Sequence, residues 1–143
     1  MLGDADRAQK EYDLAVALGK RTDRFTLALY YATKDRAHDD ALRLIEAERA
    51  TRGGIYVDDV YAWALYRAGR IPEARAASNR AMRLGTLDAC ILYHAGAIRI
   101  ADGDNSGFGL VQKALNLNPK FDVTGSEEAA RLLATRVKNV STN

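Results

Sequence analysis

Apolar residues return every three or four positions through most of the chain, in blocks separated by glycine, proline and acidic turns. That period predicts amphipathic helices. Ala5, Ala8, Tyr12, Ala15, Val16 and Leu18 place the first within 4–19. The second is capped by Thr22 or Asp23 and carries Phe25, Leu27, Ala28, Leu29, Tyr30, Tyr31 and Ala32 before a polar turn at Lys34-Asp35-Arg36. Asp39 to Ala50 follows, with Ala41, Leu42, Leu44, Ile45 and Ala47 on its inward face. After Gly53-Gly54 a helix from about Val57 carries Val60, Tyr61, Trp63, Ala64, Leu65 and Tyr66 to a turn at Gly69. Pro72 to Leu84 is its partner, opened by proline and closed by Gly85. Leu87 to Ala101, a turn at 102–105, and about Ser106 to Leu117 form another pair, ended by Asn118-Pro119. Within it, Gly107 and Gly109 each weaken the helix by roughly 1 kcal/mol relative to alanine. Last, Thr124-Gly125-Ser126-Glu127 has the spacing of a capping box, before Ala129, Leu132, Leu133, Arg136 and Val137.

These blocks count in modules. Ala8, Ala41 and Ala74 lie 33 apart, as do Ala81 and Ala114, and Leu84 and Leu117, whereas Gly69 to Gly103 is 34. A one-residue deletion in the turn after Gly103 reconciles the two spacings. A fixed period of this size, filled with helix formers, is the signature of a helical solenoid, whose units bury their apolar faces only by stacking. The expected fold is all-α: one domain over 1–143, with a lone second helix at 4–19, repeats at 22–51, 55–85 and 87–118, and a capping helix at 124–140.

Composition narrows the chemistry. The chain has 143 residues, 48% of them hydrophobic, and 21 Lys+Arg against 19 Asp+Glu leave a net charge of +2. The charges are interspersed, which disfavours a nucleic-acid partner. Cys90 is a lone cysteine, so no internal disulfide forms and the redox compartment is left open. No basic start with an apolar stretch marks an export signal, and no run approaches the roughly 18 apolar residues of a membrane span. The expectation is no membrane partner, with the cytoplasm as default compartment and the periplasm open if Met1 is not the natural start.

The run Ala62-Trp63-Ala64-Leu65-Tyr66-Arg67-Ala68-Gly69-Arg70-Ile71-Pro72-Glu73-Ala74, continued by Ala81-Met82-Arg83-Leu84, resembles a tetratricopeptide repeat. So does Ala95-Gly96 through Gly103-Asp104 to Lys113-Ala114-Leu115-Asn116-Leu117-Asn118-Pro119. Small residues stand where the family needs close helix contact: Ala62 and Gly96, Ala74 and Gly107, Ala81 and Ala114. The pattern weakens before residue 55, where Asp35 occupies the usual turn glycine and Glu48 the late alanine. The resemblance, to a bacterial-type array, implies a right-handed superhelical solenoid of antiparallel helix pairs, about three and a half repeats plus a cap.

It also implies a protein or peptide ligand in a concave groove lined by the first helices. The partner-binding candidates there are Tyr30, Lys34, Asp59, Trp63, Tyr66, Arg67 and Tyr93. Aromatic rings offer large contact areas at low entropy cost, although some pack between repeats instead. An acid on the partner would face Arg67 and a base would face Asp59. Members that grip carboxyl-terminal chaperone tails do so with lysines and asparagines, and the matching positions here hold Thr26, Asp59, Tyr93, Tyr30, Trp63 and Ala97. That clamp is absent from the sequence.

Catalytic and cofactor signals are weak. Cys90 and His94 share a helix face, but two ligands fall short of the three or four that zinc requires. His94 reads better as a residue between repeats and His38 as a turn residue at a helix start. Gly103-Asp104-Asn105-Ser106-Gly107 lacks the lysine of a phosphate loop. Asn139-Val140-Ser141 fits a glycosylation sequon of the kind that arises by chance. The expectation is therefore a non-catalytic scaffold with no cofactor or metal. The alternatives are an oligomerisation segment of a larger repeat protein, self-associating through exposed solenoid ends, and, less favoured, an RNA-binding helical repeat.

Overall fold

A computed structural model describes residues 2–140. Those residues form eight helices and no strand: α1 (Leu2–Thr22), α2 (Arg24–Thr33), α3 (His38–Thr51), α4 (Ile55–Arg67), α5 (Ile71–Ala81), α6 (Ala89–Ala101), α7 (Gly107–Leu117) and α8 (Gly125–Val140). Three pairs pack as hairpins, α2 with α3, α4 with α5, and α6 with α7. Neighbouring pairs then join in a constant manner. α3 touches α4, α5 touches α6 and α7 touches α8, while α2, α4, α6 and α8 touch in succession. α1 lies against α2.

The hairpin turns repeat in detail. Asp35, Gly69 and Gly103 adopt left-handed backbone with φ of 51°, 77° and 82°. The amide after each reaches back five residues: Arg36 N to Tyr31 O at 3.0 Å, Arg70 N to Leu65 O at 2.9 Å and Asp104 N to Arg99 O at 2.8 Å. These bonds satisfy carbonyls that a helix end would otherwise leave orphaned. The three left-handed residues lie 34 apart (35, 69, 103), so Asp35 performs the turn role that glycine performs in the other two units.

The small residues after the turns lie 33 apart, at Ala41, Ala74 and Gly107, so the turn shortens at each step. From left-handed residue to small contact residue the count is 6, then 5, then 4 (35 to 41, 69 to 74, 103 to 107). One slip is therefore too few. The first turn absorbs its extra residue by placing Ala37 in left-handed backbone at φ 49°. The third draws α7 in so far that a Cβ on Gly107 would stand 2.3 Å from the Gly96 carbonyl oxygen, and one on Gly96 would stand 2.7 Å from the Gly107 oxygen. Glycine at 107 is thus required by close approach, while Gly109, with nothing within 4 Å of an added Cβ, is not.

Several boundaries move from those the sequence predicts. α4 starts at Ile55, because its first residue is buried and Gly54 reaches φ 138° before it. α5 ends at Ala81, and Met82 to Leu84 form a turn closed by Gly85 at φ 63°. α6 begins at Ala89, because Asp88 caps it by accepting from Ile91 N at 3.1 Å. At α8 the Thr124 capping box gives way to Asp122, whose carboxylate accepts from Gly125 N at 2.6 Å and from Thr124 Oγ1 at 3.1 Å. An anionic acceptor outcompetes a hydroxyl for an N-terminal amide.

The main core cluster runs through the stacked pairs from Leu27, Ala28 and Ile45 through Val60, Trp63 and Leu65 to Ile98, Val111 and Ala129, and Ile55, Ala81 and Ile91 form a smaller second one. No described helix is long and apolar enough to cross a membrane.

Candidate functional site

One cavity of about 380 Å³ opens on the side of the molecule formed by the first helices. α2 contributes Phe25, Leu29 and Thr33, α4 contributes Tyr56, Asp59, Val60, Trp63 and Arg67, and α6 contributes Cys90, Ile91, Tyr93 and His94. The loop before α8 and its first turn close one side with Phe121, Asp122, Thr124 and Glu128. These residues meet because α2, α4, α6 and α8 run side by side, so positions about one period apart fall on a common face.

Trp63 forms the floor and is 2% exposed. Its indole is sandwiched between Tyr66, with ring centroids 4.8 Å apart at 18°, and His94, at 4.1 Å and 16°. The Arg67 guanidinium stands 4.5 Å from the Trp63 ring centroid. Tyr93 tilts against the same indole at 5.5 Å.

Several polar groups around this stack are paired internally, while Trp63 Nε1 and Arg67 Nε are buried without a hydrogen-bond partner among the described residues. Asp59 Oδ2 lies 2.9 Å from His94 Nδ1, a buried contact between α4 and α6. Glu128 Oε2 accepts from Arg67 Nη2 at 2.8 Å and from the Tyr93 hydroxyl at 3.0 Å, tying α8 to α4 and α6. Removing either partner of such a buried contact leaves the other unsatisfied, at about 1–3 kcal/mol. Burial pushes the Tyr66 hydroxyl up, assisted by the Glu128 and Asp35 carboxylates against the opposing pull of Arg67. The Tyr93 hydroxyl rises further, through burial and then the adjacent Glu128 charge. Burial also pushes the Cys90 thiol up to about 11, with Asp88, Asp59 and Asp122 adding to it. Cys90 is thereby protonated at neutral pH and a poor nucleophile. Its Sγ lies 4.0 Å from the Phe121 carbonyl oxygen. The described residues hold no grouping of three or more His, Cys, Asp or Glu side chains suited to a metal ion.

The sequence-derived candidates separate into groups. Asp59, Trp63, Arg67 and Tyr93 line the cavity together. Tyr66 backs the Trp63 ring, half-buried. Tyr30 lies elsewhere, 38% exposed in a second groove between α1 and α2, with its ring 6.5 Å from that of Tyr12. Lys34 is exposed at the end of α2. Asp59 and Arg67, expected to face charges on a partner, face His94 and Glu128 of the same chain. Phe25, Leu29, Phe121 and Glu128 are cavity residues that the sequence reading missed. Glu128 was within reach of it, since positions 94 and 128 lie one turn-to-turn interval apart, the same as Gly69 and Gly103.

No protein-family model, curated protein or solved structure matches the chain.

Proposed function

We propose that this is a tetratricopeptide-like array acting as a non-catalytic interaction scaffold, which takes an apolar or aromatic side chain of a peptide or partner helix into the cavity between α2, α4, α6 and α8. The observation that carries this reading is the cavity itself: aromatic and aliphatic side chains surround polar groups of which Arg67 is already held by Glu128 and Asp59 by His94. A charged ligand entering that space would give up its hydration to side chains that are largely apolar or already paired, whereas an apolar group displaces only water. The repeating turns and small-residue contacts support the array, and the likeness of residues 62–84 supports the family.

Trp63 belongs to the floor and is no target for a binding test, since truncating a buried aromatic to alanine costs about 3–5 kcal/mol. Tyr56, 53% exposed at the cavity wall, and Leu29, half-buried on α2, are better. Peptides selected from a random display library against the wild-type protein are expected to share an aromatic or branched aliphatic anchor. Leu29→Asp combined with Tyr56→Ser should weaken them at least tenfold, about 1.4 kcal/mol. Selected peptides that bind the double variant as tightly as wild type would sink the cavity assignment.

A further inference from the structure

Three arginines converge on one aspartate beside the loop that joins α3 to α4. Asp58 stands in the first turn of α4 with its side chain 14% exposed. Arg83 Nη1 lies 2.6 Å from Asp58 Oδ2, while Arg80 Nε and Arg49 Nε lie 3.8 and 4.0 Å from Oδ1. Arg49 comes from α3, Arg80 from α5 and Arg83 from the turn after it. Together with Gly53 and Gly54 they line a cleft of about 550 Å³. None of these residues lines the aromatic cavity.

One carboxylate does not exhaust three guanidiniums. Each carries five N–H donors, and the contacts of Arg49 and Arg80 with Asp58 are too long for hydrogen bonds. Neither of these two guanidiniums makes a hydrogen bond among the described residues. Arg83 uses Nη1 alone, on Asp58 and on the Arg80 carbonyl oxygen, both at 2.6 Å. The other carboxylate of the cleft is the exposed Glu46, so three cations face two anions.

Two of the arginines are held in place beforehand. The Arg49 guanidinium lies 4.0 Å from the Tyr61 ring centroid, and Arg83 is tied to Asp58. Fixing such long side chains in advance lowers the entropy lost when a ligand binds. The start of α4 adds positive potential to the same cleft, because Gly54 caps that helix without a side-chain bond.

We infer that this cleft binds a phosphoryl group, free or carried as a monoester. A carboxylate offers two oxygens in one plane, and Asp58 accordingly makes one close contact and two distant ones. A tetrahedral phosphoryl group offers three terminal oxygens in three directions, which suits guanidinium forks arriving from three segments. Gly53 and Gly54 leave space beside them, since a Cβ added to either meets nothing within 4 Å.

The test is a nuclear magnetic resonance titration of the whole chain, following the Gly53 and Gly54 amides and the arginine Nε signals. Inorganic phosphate should shift them saturably, beyond the effect of sodium chloride at equal ionic strength, and acetate should not. A short neutral peptide with one phosphoserine separates the two sources: tighter binding than phosphate assigns a phosphorylated side chain, and weaker binding assigns free phosphate. Arg80→Gln should weaken phosphate roughly fivefold or more, after discounting a charge-assisted hydrogen bond for exposure. Glu46→Gln removes a repelling charge from an exposed position and should tighten it about twofold. Unchanged signals from the aromatic cavity report that both variants are folded. Phosphate shifts no larger than those of chloride, acetate shifts as large as those of phosphate, undiminished binding to R80Q or weaker binding to E46Q would each overturn the inference.

Discussion

Two glycines two residues apart on α7 offer a test of close packing against helix propensity. Gly107 faces α6, and an alanine Cβ there would stand 2.3 Å from the Gly96 oxygen, against 3.4 Å for an ordinary contact. The deficit is 1.1 Å (3.4 − 2.3), and the obstacle is backbone, so side-chain rotation cannot relieve it. α6 and α7 must separate by about 1 Å, which forfeits a quarter to a half of the dispersion attraction across the contact. Overpacking of this kind costs about 1–3 kcal/mol, and the upper end applies where backbone must move. Against it stands a helix-propensity gain of about 1 kcal/mol for replacing glycine. Gly107→Ala should lose about 2 kcal/mol net. Gly109 is exposed and has nothing within 4 Å of the added Cβ, so Gly109→Ala keeps the propensity gain alone and should add about 0.5–1 kcal/mol. Urea unfolding followed at 222 nm, at equal m-values, should place the two midpoints on opposite sides of wild type. A G107A midpoint at or above wild type would refute the close approach of α6 and α7.

Two further outcomes follow from the titrating groups. With its thiol near 11, Cys90 should be roughly a hundredfold less ionised at pH 8 than an ordinary thiol near 9. Iodoacetamide should label it that much more slowly in the folded protein than in urea, and a native rate within tenfold of the unfolded one would contradict its burial. Asp104 accepts from Ser106 N at 3.0 Å and Arg75 Nη2 at 2.8 Å, and the contacts with Ser106 and then Arg75 hold its carboxyl well below the usual range. A depressed folded pKa contributes stability that is complete above the unfolded value of about 3.9 and is lost as the pH falls from there towards the folded value. Asp104→Asn should lower Tm at pH 7 and converge on wild type as the pH is brought from 5 towards 2. A Tm difference that stays constant over that range would exclude the linkage.

Helix order and the pairing of blocks were legible because they depend on periodicity and on a few small residues. Ala28, Ala62 and Ala74 are fully buried, and their recurrence survives in the bare sequence. Turn chemistry was legible only in part. Asp35 departs from glycine yet takes the same left-handed backbone, and the tightening of the third turn emerges only from the contact of Gly96 with Gly107. The capping residue of α8 was misplaced because Thr124 and Asp122 both precede that helix, and their competition is decided by charge and geometry together.

The cavity was read less well for one physical reason. Period identifies which residues share a helix face, while the spacing between adjacent first helices decides whether that face meets solvent or a neighbour. Trp63 and Tyr93 share the face expected of them and are buried all the same, because α6 and α8 lie close enough to cover them. Tyr30, on the corresponding face of α2, stays 38% exposed. Glu128 supplies the other half of the Arg67 contact from 61 residues away, a pairing that local spacing does not encode.

The recurrence of one turn geometry at Asp35, Gly69 and Gly103 has a consequence for how such a chain changes length. Duplicating the segment between equivalent points of α4 and α6 would add a whole helix pair flanked by junctions of a kind already present. Single-residue insertions within a helix, by contrast, rotate everything beyond them by about 100° and break the contact series. Gene-level growth in whole units is thus the path of least structural conflict, and the number of units is a variable that selection can adjust without redesigning an interface.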